Sequence, residues 1–586
     1  MPAEVSSYVE LSDLFPRQDC TLAHLAECLG ALPLNSVLVM CARANQIVSG
    51  PGKTSRVDRQ KRLANSLLST EVGKRLNKVA HAESGGDPAK KFLFFRAQLL
   101  ELVRWALLLC STETPQLEGP WTQIEKDLFA QAALICSQIS EDKVLATLRA
   151  NVSVPALKSI APVFFRAALD AALIAPDPYR VFGRGQQLFL KYLPKHYPNL
   201  DEDFREATGM SVLEYMTTAG ALVAIHLQLD NTMILSDAIT LGNDTKCTDA
   251  YRAYQELQVW DIEKLRERLW PGRQIPTSFD EISAFDLKPL REKPIIALDD
   301  GRGVIPDPVL LADSILVGPV FHLARVRDAN YVFGRFGDAF EEYVCDILER
   351  MFPRGVGLHQ RFHRDVPAQD THGRTIQIDA CLDYIDRLVL IEANSVFICD
   401  ASVVACDEIA FRAELEKKYL KGEREVVIGQ LARTIRSLAV GSWLGPGSPG
   451  DVNLVYPVAI VHDRLLQEPV VTRQLAEMLI TELGATQVAS SWQWEIKGLR
   501  CAPLTILTID DLEDLEYSIQ NVALMDLLEA YSSRVPERRE SLHDFIASSE
   551  FRNTMKINRS IANAGLIFLE DAGQRVFRRK ISKKGK

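Results

Sequence analysis

A chain of 586 residues has room for roughly three or four domains of ~150 residues, each with its own core. Its 47 % hydrophobic and 25 % charged content is that of a globular protein, and a net charge of −10 with a pI near 5.6 excludes a surface that is basic throughout. The eleven cysteines form no CxxC pair, so neither a zinc knuckle nor a disulfide framework is expected, and reduced thiols suit a cytoplasmic location.

The opening "MPAEVSSYVELSDLF" carries early acids and no apolar core segment, which argues against a secretory leader. The most apolar runs, "LVRWALLLC" and "FFRAALDAALIAP", fall short of the ~20 residues of a membrane helix, so no membrane partner is expected. Residues 1–269 are mostly helical in pattern: "KKFLFFRAQLLELVRWALLLC" and "KDLFAQAALICSQI" repeat apolar residues every three or four positions. This region reads as a scaffold or recognition domain, and as the place where a protein partner or a second copy would bind. "SGPGKTSR", Ser49 to Arg56, imitates a phosphate-cradling loop, but the glycine required five residues before Gly52 is Ile47. Nucleotide hydrolysis through Lys53 is therefore not expected.

Residues 270–330 are expected to form a connector, rich in breakers from Trp270 to Pro294, with short strands in "IIALDD" and "SILVGPVF". From 331 to 470 the texture is α/β: a helix over about Phe336 to Phe352, three strands up to Cys399, and a helical stretch to about Leu438. "VNLVYPVAIVHD" has the near-continuous apolar character of a strand buried on both faces. Residues 471–586 form a C-terminal α/β segment whose strand "APLTILTID" precedes helix and a basic tail, "RVFRRKISKKGK". His359 and His363 stand four apart in "LHQRFHRD", with no third ligand at metal spacing. With Arg361 and Arg364 they make a local basic strip suited to a phosphate backbone.

Carboxylates concentrate in the α/β stretch. Phe340, Tyr343, Val344, Ile347 and Leu348 mark the buried face of the predicted helix, with Glu341 at its edge and Glu342 on the side of Asp346, Glu349 and Arg350, facing solvent. In "QIDACLDYIDRLVLIEANS", Ile376, Ile378, Ala380, Leu382 and Tyr384 alternate to one face, and Gln377, Asp379, Cys381 and Asp383 to the other. A two-residue turn at Ile385 and Asp386 pairs Tyr384 with Arg387 and sets Asp379 opposite Glu392, and Gln377 opposite Asn394. Like charges directly opposed destabilise a sheet, and a divalent cation between them reverses the sign.

A helix glutamate, then Asp379, then Glu392 about a dozen residues later, resembles the PD-(D/E)XK nuclease superfamily over about Phe336 to Asp463. "VVIGQLARTIRSL" adds Gln430, similar to the glutamine of RecB-like members. The resemblance implies a multidomain α + α/β protein. A large helical N-terminal region precedes a restriction-endonuclease-like mixed-sheet core and a helical C-terminal segment. It also implies Mg2+ or Mn2+ held by Asp379, Glu392 and Glu341, and a nucleic-acid substrate, DNA favoured. Two positions depart from the family: its lysine is Asn394, and the tyrosine four residues beyond the glutamine is Thr434. Asparagine hydrogen-bonds water without adding charge, and losing one such electrostatic contact costs about 3–4 kcal/mol in the transition state. Lys418, in "ELEKKYLKGER" with Lys417 and Lys421, is the expected substitute. The alternative is a catalytically inactive nuclease fold that binds nucleic acid or protein. Bacterial defence or nucleic-acid processing fits the layout by architectural analogy alone.

Overall fold

In the computed structural model, the described residues run from Ser7 to Ile581, apart from 50–55, 84–90, 112–120, 151–176, 229–233, 236–244, 277–287, 299–301, 354–360, 370–372, 398–407, 422–425, 447–450, 468, 489–491, 520–521, 535–541, 543–544, 547–548 and 557. Most of "SGPGKTSR", including Lys53, together with His359 and the last residues of the basic tail, lies outside them. Among the described residues no helix is long and apolar enough to cross a membrane.

The protein is mixed α/β, with many helices and one large mixed sheet. Apolar residues from Val9 to Ile139, among them Leu99, Trp105, Phe129 and Ile135, share one core with Ile262–Leu310. A second core begins at Val181 and Phe182 on helix α1, Pro178–Gly185, and runs through helix α2, Ala329–Met351, to the sheet and the C-terminal helix. The expected strand "SILVGPVF" is helical, in Pro308–Leu316 and Gly318–Leu323. Asp307 caps the first by accepting from the Val309 N–H, and Pro308 supplies a preset helical φ, so local start signals outweigh the β-branched residues. Helix α2 starts earlier than its apolar stripe announces, because the Asp328 side chain accepts from the Tyr331 N–H at 2.8 Å.

Strands β1 (Arg361–Gln369), β2 (Thr375–Asp383) and β3 (Arg387–Asn394) form an antiparallel meander. Helix α3, Val427–Ala439, crosses over to strand β4, Leu454–Val461, parallel to β3. All eight residues of β4 are buried, as a strand covered on both faces requires. Strands β5 (Thr486–Gln487), β6 (Trp494–Ile496) and β7 (Leu499–Cys501) extend the sheet in the order β5-β6-β7-β4-β3-β2-β1, and β8 (Thr505–Thr508) also pairs with β4. Helix α2 covers one face through Val389, Ile391, Tyr456 and Val458, and α3 covers the other through Leu388, Leu390, Val455 and Ala459.

Helix α4, Ile509–Ser518, and helix α5, Arg559–Ile581, close the chain, with α5 lying along α1. Their backbones meet at glycines: a Cβ on Gly565 would run into the Tyr179 carbonyl, and one on Gly183 into that of Ile561. Backbone cannot swing aside as a side-chain tip does. Gly565→Ala is expected to cost about 1–3 kcal/mol, read as a lower melting temperature. An unchanged melting temperature would contradict this crossing.

Candidate active site

The β2–β3 ladder pairs Asp383 with Leu388, Leu382 with Val389, Cys381 with Leu390 and Ala380 with Ile391. The Tyr384 N–H donates to the Arg387 carbonyl at 2.9 Å, so the two-residue turn and its register are as the sequence indicates. One step further Asp379 faces Glu392, and there the ladder stops. The next donor, the Ala393 N–H, goes instead to the Asp379 side chain, Oδ2 at 2.7 Å.

The simple alternation expected along β2 does not hold. Ile376 and Ile378 point to the α3 side, Ala380 and Leu382 to the α2 side, so the strand changes face at Asp379. Strand β1 changes with it: pairing skips from Arg364–Ala380 to Val366–Ile378, and Asp365 between them sits at φ 54°. That left-handed backbone, rare for a non-glycine residue, kinks both strands together. Its physical result is to lift Asp379 out of the ladder and turn its carboxylate toward β3.

Glu392, 3 % exposed, lies within reach of Asp379, and its Oε1 has no hydrogen-bond partner. Glu341 approaches from α2. One turn along that helix the Cys345 thiol lies 3.8 Å from the Asp379 carbonyl. Burial pushes all three carboxyls up. Glu341 is raised further by Asp379 and Asp365, and Glu392 by Asp379 and Glu341, whereas the Ala393 N–H holds Asp379 back. Unlike an exposed patch of acids, this group cannot be fully ionised without a compensating positive charge.

The remaining expected residues are bonded elsewhere than to these acids. Gln430 donates its amide to the carbonyl of Gln377, two residues before Asp379, and so pins β2 from α3. Asn394 Oδ1 accepts from the Val396 N–H at 2.8 Å, which turns the chain at the end of β3. Lys418 donates to the Phe397 carbonyl and to Glu414, both at 2.6 Å, holding the segment just after Asn394. Thr434 is fully buried on α3. Glu342 does not face solvent freely: it pairs with Lys195 and His196, each at 2.6 Å, because that side of α2 packs on a helix some 146 residues away in sequence. Sequence reasoning placed Arg364 in a basic strip, and it passed over Asp365 because "RFHRDVPAQ" carries no turn signal at the kink.

Among the described residues no three His, Cys, Asp or Glu side chains are gathered closely enough to hold a metal ion by themselves. Two of the acids nonetheless fit one. The orphaned, buried Glu392 Oε1 and the neighbouring Asp379 carboxylate are hard oxygen donors, and Mg2+ takes one or two carboxylates with water and phosphate oxygens completing its shell. Comparison with protein-family models, curated proteins and solved structures finds no match to this chain.

Proposed function

We propose that the chain is a metal-dependent nuclease with a restriction-endonuclease-like core, hydrolysing phosphodiester bonds of nucleic acid, DNA favoured. The observation that supports this most is the kink, which turns Asp379 toward Glu392, with Glu341 near enough to feel both charges, beside a buried carboxylate oxygen left unsatisfied. Burying a carboxylate without a partner costs stability, and a bound cation offsets that cost. Asp379 and Glu392 hold Mg2+ or Mn2+, and Glu341 orients water from the helix side. When bound, the cation polarises the phosphoryl oxygens and favours hydroxide over water. One water is consumed: its oxygen bonds to phosphorus, the bridging P–O bond breaks, and a proton ends on the leaving oxygen. Gln430 keeps Asp379 in register through the Gln377 carbonyl.

One observation favours the second reading, a binding module without catalysis. Asn394 Oδ1 and the Lys418 ammonium are both spent on the loop after β3. The two readings separate on incubation with plasmid, single-stranded DNA and RNA in Mg2+ or Mn2+. The nuclease reading expects cleavage that chelation stops and Asp379→Asn removes. Cleavage indifferent to Asp379→Asn would refute the site, and metal binding without any cleavage would establish the second reading.

A further inference from the structure

We infer that Arg364 is the cation that grips the phosphate at this site, on the neighbouring strand rather than at the Asn394 position. The inference rests on the nuclease reading and specifies who supplies its missing positive charge. Three features of the geometry carry it. Arg364 pairs with Ala380, so it stands on β1 beside Asp379, immediately before the kink at Asp365. Its ion pairs are long, 3.9 Å to Asp346 and 3.5 Å to Asp365, and its side chain is 34 % exposed, which leaves donors for an incoming ligand. By contrast, Lys418 is tied at 2.6 Å to both its partners.

Electrostatics agree with the placement. The Arg364 charge opposes the upward shift of both Glu341 and Asp379, and against burial, which lowers it, Arg364 is raised by Cys345, Asp365, Glu341 and Asp346. A phosphodiester approaching Glu341, Asp365, Asp379 and Glu392 meets several negative groups, and a cation on the rim offsets that repulsion. Guanidinium presents paired N–H donors that match two phosphate oxygens. It cannot lose a proton near neutrality, so Arg364 binds a non-bridging oxygen and takes no part in proton transfer.

A residue of this kind pulls two affinities in opposite directions. Removing Arg364 takes a like charge away from the cation site and a partner away from the phosphate. In the full-length protein, Arg364→Ala is expected to bind Mg2+ several-fold more tightly by calorimetry. It should bind a fluorescein-labelled single-stranded oligodeoxynucleotide roughly 10-fold more weakly by anisotropy, with cleavage falling by about 100-fold. The slope of log affinity against log salt should lose about 0.7, and Arg364→Lys should recover part of the loss. A merely structural arginine would weaken both ligands together and leave the salt slope unchanged. Arg364→Gln supplies the same comparison where the alanine variant does not fold. Oligonucleotide affinity and cleavage equal to those of the unsubstituted protein would overturn the inference, as would Mg2+ binding with no oligonucleotide binding at all. Either result leaves the cation site standing, whereas absence of Asp379-dependent Mg2+ binding overturns the nuclease reading as well.

Discussion

Metal-dependent cleavage by the Glu392→Gln protein is expected to fall by at least about 100-fold, while the metal-free variant melts at a higher temperature than the unsubstituted protein at pH 8. Both effects come from one group. Glu392 is buried with one oxygen unsatisfied, and it faces Asp379. Glutamine has the shape of the protonated acid and keeps an N–H to offer Asp379, but it never ionises. An unsatisfied buried polar group costs about 1–3 kcal/mol, more when charged; the amide sheds the excess due to charge, so the metal-free fold is stabilised on substitution wherever Glu392 would otherwise be driven to ionise.

The pH dependence fixes the sign. Glu341, Asp379 and Glu392 all have folded pKa values above their ordinary values of 4.5, 3.8 and 4.5. The folded state therefore binds more protons than the unfolded chain, and stability falls as pH rises. This contribution is complete below about pH 4 and is lost as pH climbs through about 8, the value to which Glu341 is raised. The gain from Glu392→Gln should thus be near zero at pH 4.5 and grow as pH rises. Added Mg2+ should raise the melting temperature of the unsubstituted protein most at alkaline pH, because a ligand that binds only the folded state stabilises it, and should leave the variant nearly unmoved. Thermal melts from pH 4.5 to 8.5, with Mg2+ and with chelator, provide the check. A variant less stable than the unsubstituted protein throughout would mean that Glu392 is structural.

The local signals in the sequence were sufficient for the hairpin register, the buried strand β4 and the placing of Asp379 opposite Glu392. Each depends on residues within one element or across one turn, where periodicity and residue counting operate. The kink was not legible, because it arises from Asp365 in a backbone state that favours glycine, with no glycine present to announce it. Nor were the partners of Glu342 legible: Lys195 and His196 meet it only after the chain has folded back across more than a hundred residues. The helix at Pro308–Leu316 shows the opposite case, a start signal present in the sequence at Asp307 and Pro308 that prevails over the β-branched residues after it. Comparison between β1 and β2 also explains why strict alternation misled. It predicts faces only while the ladder is continuous, and this ladder is interrupted at Asp379.

Arg184→Met is expected to cost about 3–5 kcal/mol, the largest loss of stability from a single change proposed for this fold. Arg184 on α1 donates to both oxygens of Glu513 at 2.8 and 2.7 Å and pairs with Asp510, both on α4. Glu513 is fully buried and also accepts from the Tyr343 hydroxyl of α2 at 2.9 Å. Arg180 and Arg464 complete the cluster, and Asn558, just before α5, donates to the Glu513 carbonyl. Five separate segments of the chain are therefore held at one point. The guanidinium charges hold Asp510 well below the usual carboxylate range despite burial, so its contribution is present above about pH 4 and lost as pH falls further. Removing Arg184 leaves the buried Glu513 with Arg180 as its remaining cation, at 3.0 Å, and a fully buried carboxylate with half its compensation gone is what makes the change severe. Replacing the carboxylate too, in Arg184→Met/Glu513→Leu, removes that penalty, so the double variant should be more stable than the single one. Arg464, a third exposed, should cost less when changed to alanine. Hydrogen exchange at amides of α1, α4 and α5 gives the local readout, and protection of these helices should drop together in Arg184→Met. Tyr343 lies two residues from Glu341, so loosening this cluster frees the helix that presents the third acid, and metal affinity should fall with it. Unchanged exchange in all three helices would show that the cluster is not what joins them.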